Sequence, residues 1–265
     1  MHARVIVAYD GSERSLEVLP AAEAAADGFA CPVEVVHVAE RGSAGITPPN
    51  DVSVTTVPGD DPAASLLAEV HATEPDGLLC MTTRGRGAVG GLVFGSVAAE
   101  LICDPSAPVL AVGPQCTPPS DGGPWSQMLV CLDGSATSAS ILPIARRWAL
   151  ELDLAVHLVH VAYPLPDPGS GDFTVPEEER ISTAALVRTA AEFKESGIAA
   201  TWEVMEDVDT TTGIVGQAIH GNVDVIAMAT HGRTGLARLL AGSTAMDTVR
   251  RSPVPMLLVR PERLR

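Results

Sequence analysis

One unit is written twice in this chain of 265 residues, and that duplication limits the possible folds more than any other feature. RVIVAYDGSERSLEVLPAAEAAA, from Arg4, parallels MLVCLDGSATSASILPIARRWA, from Met128. Asp10-Gly11-Ser12 matches Asp133-Gly134-Ser135, and Leu19-Pro20 matches Leu142-Pro143, each 123 positions on. VEVVHV, ending at Val38, matches VHLVHV, ending at Val161, at the same offset. TTRGRGAVGGLVFGSV (82–97) then parallels ATHGRTGLARLLAGST (229–244) at an offset of 147, so copy two carries 24 extra residues (147 − 123). PQCTPPSDGGPW (114–125) has the Pro, Gly and Ser content of a linker. The expectation is a domain over 1–114, a linker over 115–125 and a second domain over 126–265.

Short β-branched runs alternate with Ala- and Leu-rich helical stretches in each copy, the pattern of a parallel α/β fold. Copy two reads strand 127–132, helix 136–151, strand 154–161, helix 177–196 and strand 199–205. Helix 211–221, strand 224–230, helix 243–251 and strand 256–260 complete it. VIAMA and MLLV are too apolar for a strand with one wet face, so both faces are covered. Copy one repeats this order without the second helix, because ERGSAGITPPNDVSV shows no helical periodicity. The predicted fold is two tandem repeats of an open five-stranded, mainly parallel sheet with helices on both faces.

Ligands of such sheets collect at the carboxyl edge of the strands, where strand order switches. Both glycine motifs follow the fourth apolar strand of their copy and lead into a helix, so they lie on that edge. Gly85 precedes Gly95-Ser96, and Gly232 precedes Gly242-Ser243, with nine residues between in each case. Glycines there let a ligand approach the backbone. Ser243 is suited to cap the helix starting near Thr244, whose first N–H groups attract anions. Arg233 and Arg238 could neutralise phosphate, and Arg86 holds the matching place in copy one. Each part also has a plain reading: Gly232 and Gly235 as turn residues, Ser243 as a cap alone. The joint pattern, occurring twice, favours a phosphate-bearing ligand.

Charge and composition exclude several classes. A formal charge of −16 argues against nucleic acid and anionic membrane as partners. No run reaches the roughly 20 apolar residues of a membrane span. The strand-like start at MHARVIVAYDGS predicts no signal peptide, and the expected compartment is the cytoplasm. Lys194 is the only lysine, which removes a conventional P-loop. Cys31, Cys80, Cys103, Cys116 and Cys131 have no metal-ligand spacing, so core thiols are expected at Cys80 and Cys131.

On VAYDGS, VCLDGS, the two VHV strand ends, HGRTGLARLLAGST and SPVPMLLV, the chain resembles a tandem universal stress protein over nearly all of both halves. That resemblance implies an adenine nucleotide alpha hydrolase-like fold and a bound adenine nucleotide, ATP or else ADP or AMP, with Mg2+ as its companion ion. It implies Asp10 and Asp133 beside the adenosine. Val38 with Met81, and Val161 with Met228, would border the adenine. Gly95, Ser96 and Val97, and Gly242, Ser243 and Thr244, would hold phosphates. The family's glycine pattern begins with a glycine where this chain has Thr82 and Ala229. Threonine is β-branched and crowds a ligand more than alanine, so copy two is expected to be the stronger site. The terminal strands VLAVG (109–113) and MLLVR (256–260) would pair within the chain as an intramolecular pseudo-dimer. A further homodimer and a regulatory protein partner are left open.

Asp10 and Asp133 could instead simply cap the next helix through the Asp-Gly-Ser turn. His37 and His160, at matched strand positions, read as a duplicated core or hydrogen-bonded histidine rather than metal ligands. Trp125, Trp148 and Trp202 read as packing. The sequence shows no GxSxG elbow, no HExxH and no paired carboxylates beside the glycine loops, so a regulatory binding module is favoured. The competing readings are an interaction module without nucleotide, and a weak ATPase or adenylyl-transfer enzyme.

Overall fold

The structure, a computed structural model, describes residues 2–39, 52–83, 94–104, 106–117, 123–163, 177–230 and 244–261. Copy one runs β1 (Val5–Ala8), a 3-10 turn (Glu13–Leu16), α1 (Leu19–Phe29), β2 (Val33–Ala39), β3 (Val54–Pro58), α2 (Pro62–Val70), β4 (Leu78–Thr82), α3 (Ser96–Ile102) and β5 (Val109–Val112). Copy two runs β6 (Gln127–Cys131), α4 (Ala136–Ala139), α5 (Leu142–Glu151), β7 (Ala155–Ala162), α6 (Glu177–Glu195), β8 (Ala200–Glu206), α7 (Thr210–His220), β9 (Val225–Ala229), α8 (Thr244–Arg251) and β10 (Met256–Val259). The helix expected over 136–151 is thus two pieces. Pro143, near the start of α5, has no N–H to donate to the Ala139 carbonyl, so one helix cannot run through. Pro20 sets the start of α1 in the same way. The loop expected between β2 and β3 falls largely on 40–51, outside the described residues.

All ten strands form one sheet, ordered β3-β2-β1-β4-β5-β10-β9-β6-β7-β8. Every pairing is parallel except that of β5 with β10, which is antiparallel with Leu257 opposite Leu110. The expected pairing of the terminal strands within the chain is therefore present. Two apolar strands that would otherwise be open edges cover each other. In each half, β1 or β6 sits between neighbours reached in opposite directions, and this is the switch in strand order.

Apolar side chains leave both faces of the strands and enter two layers of core, and each layer is continuous from one copy to the other. Val5, Ile6, Val7, Leu78, Leu79 and Leu129 are fully buried, as their unbroken apolar runs require. Across the junction Trp125 stacks on Trp148 with ring centres 6.0 Å apart, and Phe29 meets Trp148 edge-on at 5.2 Å. Trp202 departs from the expectation of packing. It lies on the outermost strand β8 and is 41% exposed, since no further strand or helix covers that edge among the described residues.

His2 closes the same junction. Its Nδ1 donates to the Asp76 carbonyl at 3.0 Å, and its Nε2 accepts from Arg147 of copy two at 3.2 Å. Burial pushes its pKa down to about 4; the Asp76 hydrogen bond opposes that shift and the Arg147 charge reinforces it. An unfolded chain binds this proton near pH 6.5, so stability is full above that pH and falls as pH drops toward 4. The shift corresponds to about 3 kcal/mol. Urea unfolding across pH 7.5 to 4 should show a steeper loss for the native chain than for a His2→Phe variant. Identical slopes would refute the assignment.

Candidate functional site

At the carboxyl edge of each half, the strand-order switch opens into a cavity. In copy one it has a volume of about 490 Å3. Asp10 enters it from beyond β1, Val36 and Val38 from β2, and Met81 and Thr82 from β4. Gly95, Ser96 and Val97 form the wall at the start of α3. The copy-two cavity is about 220 Å3 and has Asp133, Val161, Met228, Ala229 and Thr244 in the corresponding places. Every expected site residue that the structure describes therefore lines one of the two cavities. Gly85, Arg86, Gly232, Arg233, Gly242 and Ser243 lie outside the described residues, as do Gly235, Arg238 and His231. The roomier of the two cavities is the one with Thr82.

The Asp-Gly-Ser turns build matched corners. Gly11 and Gly134 have φ of 86° and 79°, a left-handed backbone that disfavours any side chain. Asp10 Oδ1 accepts from the Ser12 amide at 2.9 Å and the Ser12 hydroxyl at 2.6 Å. Asp133 Oδ1 accepts from the Ser135 amide at 2.9 Å. Ser12 and Ser135, rather than the aspartates, then cap the following turns. Each aspartate thus serves its turn through one oxygen, which orients the carboxylate at the cavity wall. The reading of the aspartates as caps of the next helix is thereby corrected, because the serine two residues on takes the cap and the aspartate holds that serine.

Ser96 differs from what the Gly-Ser step suggests. Gly95 is the N-cap, with extended backbone, and Ser96 is the first helical residue. Gly95 has a φ of −67° that any residue adopts, and among the described residues a Cβ built on it would meet nothing within 4 Å. The fold has no need of glycine there among the described residues; the position leaves open space at the lip of the cavity.

His37 Nδ1 donates to the Tyr9 carbonyl at 2.9 Å, and His160 Nδ1 to the Leu132 carbonyl at 3.0 Å. The duplicated hydrogen-bonded pair is thus present, with both histidines at the cavity margins. Cys80 and Cys131 are buried thiols whose pKa burial raises, which makes them inert. No cluster of three metal-ligating side chains occurs among the described residues. No described helix is long and apolar enough to cross a membrane.

Sequence reasoning missed the outer wall: Pro62 and Leu66 of α2 in copy one, Thr210 and Ile214 of α7 in copy two. Asp61 and Asp209, each capping its helix, stand 148 apart, as do Pro62 and Thr210, and Leu66 and Ile214. That third offset was the available signal. Ser15 and Ser138, 123 apart, line the floors of the two cavities.

A mostly parallel α/β sheet with one crevice at the carboxyl edge of each half defines a tandem α/β fold. The model of the universal stress protein family matches residues 47–113 and 124–260, so the chain belongs to that family. A universal stress protein of Methanocaldococcus jannaschii is 28% identical over 141 residues, 51% of this chain and 82% of its own length. One from Thermus aquaticus is 28% identical over 137 residues, 42% of this chain and 99% of its own. The crystal structure of a universal stress protein from Archaeoglobus fulgidus superposes with a TM-score of 0.67, at 18% identity, covering 98% of this chain and 97% of that one.

Proposed function

We propose that the chain is a regulatory universal stress protein that binds an adenine nucleotide in each copy. The observation that carries this reading is Gly95: a glycine with ordinary backbone, at the lip of the larger cavity, whose added Cβ would meet nothing within 4 Å among the described residues. A ligand approaching the backbone closely gives that glycine a reason. The apolar walls Val36, Val38, Leu66 and Met81 suit a flat base, and Asp10, which lines the same cavity, would accept hydrogen bonds from ribose hydroxyls. In copy two Val161, Ile214, Met228 and Asp133 repeat the arrangement. Phosphates would lie toward Ser96 and Val97, or toward Ser243 and Thr244, where helix N–H groups attract negative charge. Mg2+ would arrive with the nucleotide. Its ligands would then be phosphate oxygens more than protein.

Calorimetric titration of nucleotide-free protein with Mg-ATP, Mg-ADP and AMP tests the reading. Saturable binding at two sites per chain is expected, falling to one site in an Asp10→Ala or an Asp133→Ala variant. No heat of binding up to millimolar nucleotide at two temperatures would overturn it in favour of an interaction module without nucleotide.

A further inference from the structure

The two large cavities are walled alike at the base end, where Leu66 matches Ile214 and Met81 matches Met228. They differ around the start of α3 and α8. Pro62 of α2 stands where copy two has Thr210, and Val97 of α3 where copy two has Thr244; all four line their cavities. Phe94, half-buried just before the Gly95-Ser96 step, lines the copy-one cavity and matches Ala241 in the sequence. Leu101, one turn further along α3, matches Thr248, whose hydroxyl donates to the Thr244 carbonyl at 2.7 Å. Three threonines and an alanine of copy two are thus hydrocarbon groups of greater bulk or lower polarity in copy one.

The exchanges flank the helix start, on both sides of where a phosphate would meet the α3 backbone. Copy one is also the roomier by about 270 Å3 (490 − 220). At roughly 30 Å3 per water-sized group, that is space for about nine methylene-sized groups. A second or third phosphate placed there would shed its water against hydrocarbon and gain no donor from the side chains of Pro62, Phe94 or Val97. An alkyl chain in the same place would take apolar surface out of water on both sides of the contact.

We propose that the copy-one cavity preferentially binds an adenine nucleotide whose 5′-phosphate carries a medium-length acyl or alkyl chain, the chain lying against Pro62, Leu66, Phe94 and Val97. Copy two, narrower and with threonines at two of these places, takes the unmodified nucleotide. The inference rests on the nucleotide reading above and adds the group beyond the phosphate. Its test titrates the full nucleotide-free chain by calorimetry with AMP, with the n-octyl phosphodiester of AMP, and with n-octyl phosphate alone. Each buried methylene is worth about fourfold in affinity. With half the chain buried, the octyl ester should bind one site per chain at least about a hundredfold tighter than AMP, and the other site no tighter. Asp133→Ala should keep the tight site and Asp10→Ala should lose it. Phe94→Ala and Pro62→Thr, which install the copy-two residues, should each cut the ratio of octyl-ester to AMP affinity about tenfold. An octyl ester no tighter than AMP, or tighter by the same factor at both sites, would overturn the inference while leaving the nucleotide reading intact. A ratio unchanged in both variants, or octyl phosphate binding as tightly as the ester, would overturn it as well. Saturable binding of neither AMP nor its ester would overturn the nucleotide reading with it.

Discussion

Replacing Gly113 with alanine should lower the melting temperature by about 10 °C, through a loss of about 3 kcal/mol. Gly113 follows β5 at the seam between the copies. A Cβ there would overlap the carbonyl oxygen of Val249 in α8 and lie 2.9 Å from its carbonyl carbon. The obstacle is backbone, so no rotamer change relieves it; either β5 or α8 must move. Both belong to core layers that span the two copies, and a shift there propagates into β10. The repeat breaks its symmetry at this place. The copy-two counterpart, 147 positions on, is Arg260, whose guanidinium donates to the Cys103 carbonyl at the end of α3. One half closes the seam by backbone contact, the other by a long cation at a helix C-terminus, where the dipole favours it. Thermal and urea unfolding of the two proteins would decide the matter. A variant melting within a degree or two of the native chain would show that the seam adapts and that the contact is unimportant.

Gly95→Val should do the opposite: leave the melting curve nearly unchanged and abolish nucleotide binding at one of the two sites. The valine side chain meets no protein atom at its first carbon and requires no unusual backbone. It would nonetheless occupy the lip through which phosphates must reach the α3 backbone. A loss of at least about tenfold in affinity at copy one, about 1.4 kcal/mol or more, is expected by calorimetry. Gly242→Val should act likewise on copy two. If Gly95→Val binds two nucleotides as well as the native chain, the ligand does not approach α3 and the site assignment in copy one is wrong. If the variant unfolds, the open space beside Gly95 has been misread.

The two glycines show why only part of this molecule was legible from residues alone. Gly95 belongs to a motif that repeats after 147 positions, so its place beside a ligand could be argued from spacing. Gly113 repeats as Arg260, and no pattern marks it. Its role depends on Val249, more than a hundred residues away. The same holds for His2, whose low pKa comes from burial at the junction of the two copies, reinforced by the Arg147 charge and opposed by the Asp76 hydrogen bond. Trp202 was read as packing because tryptophan usually is, but an edge strand has one neighbour fewer than an inner one. Helix 136–151 was read as continuous because its apolar spacing outweighed Pro143, whose missing N–H breaks the ladder.

By itself the sequence determined the duplication, most of the strand and helix order of both halves, and the carboxyl-edge position of the aspartates. These follow from local chemistry repeated twice: apolar runs, turn residues and fixed offsets. Only the tertiary structure decided that α2 and α7 wall the cavities, that copy one holds the roomier one, and that Gly113 lies against the Val249 backbone. Those properties depend on which distant backbone groups come within hydrogen-bonding or van der Waals reach, and spacing along the chain does not encode that distance.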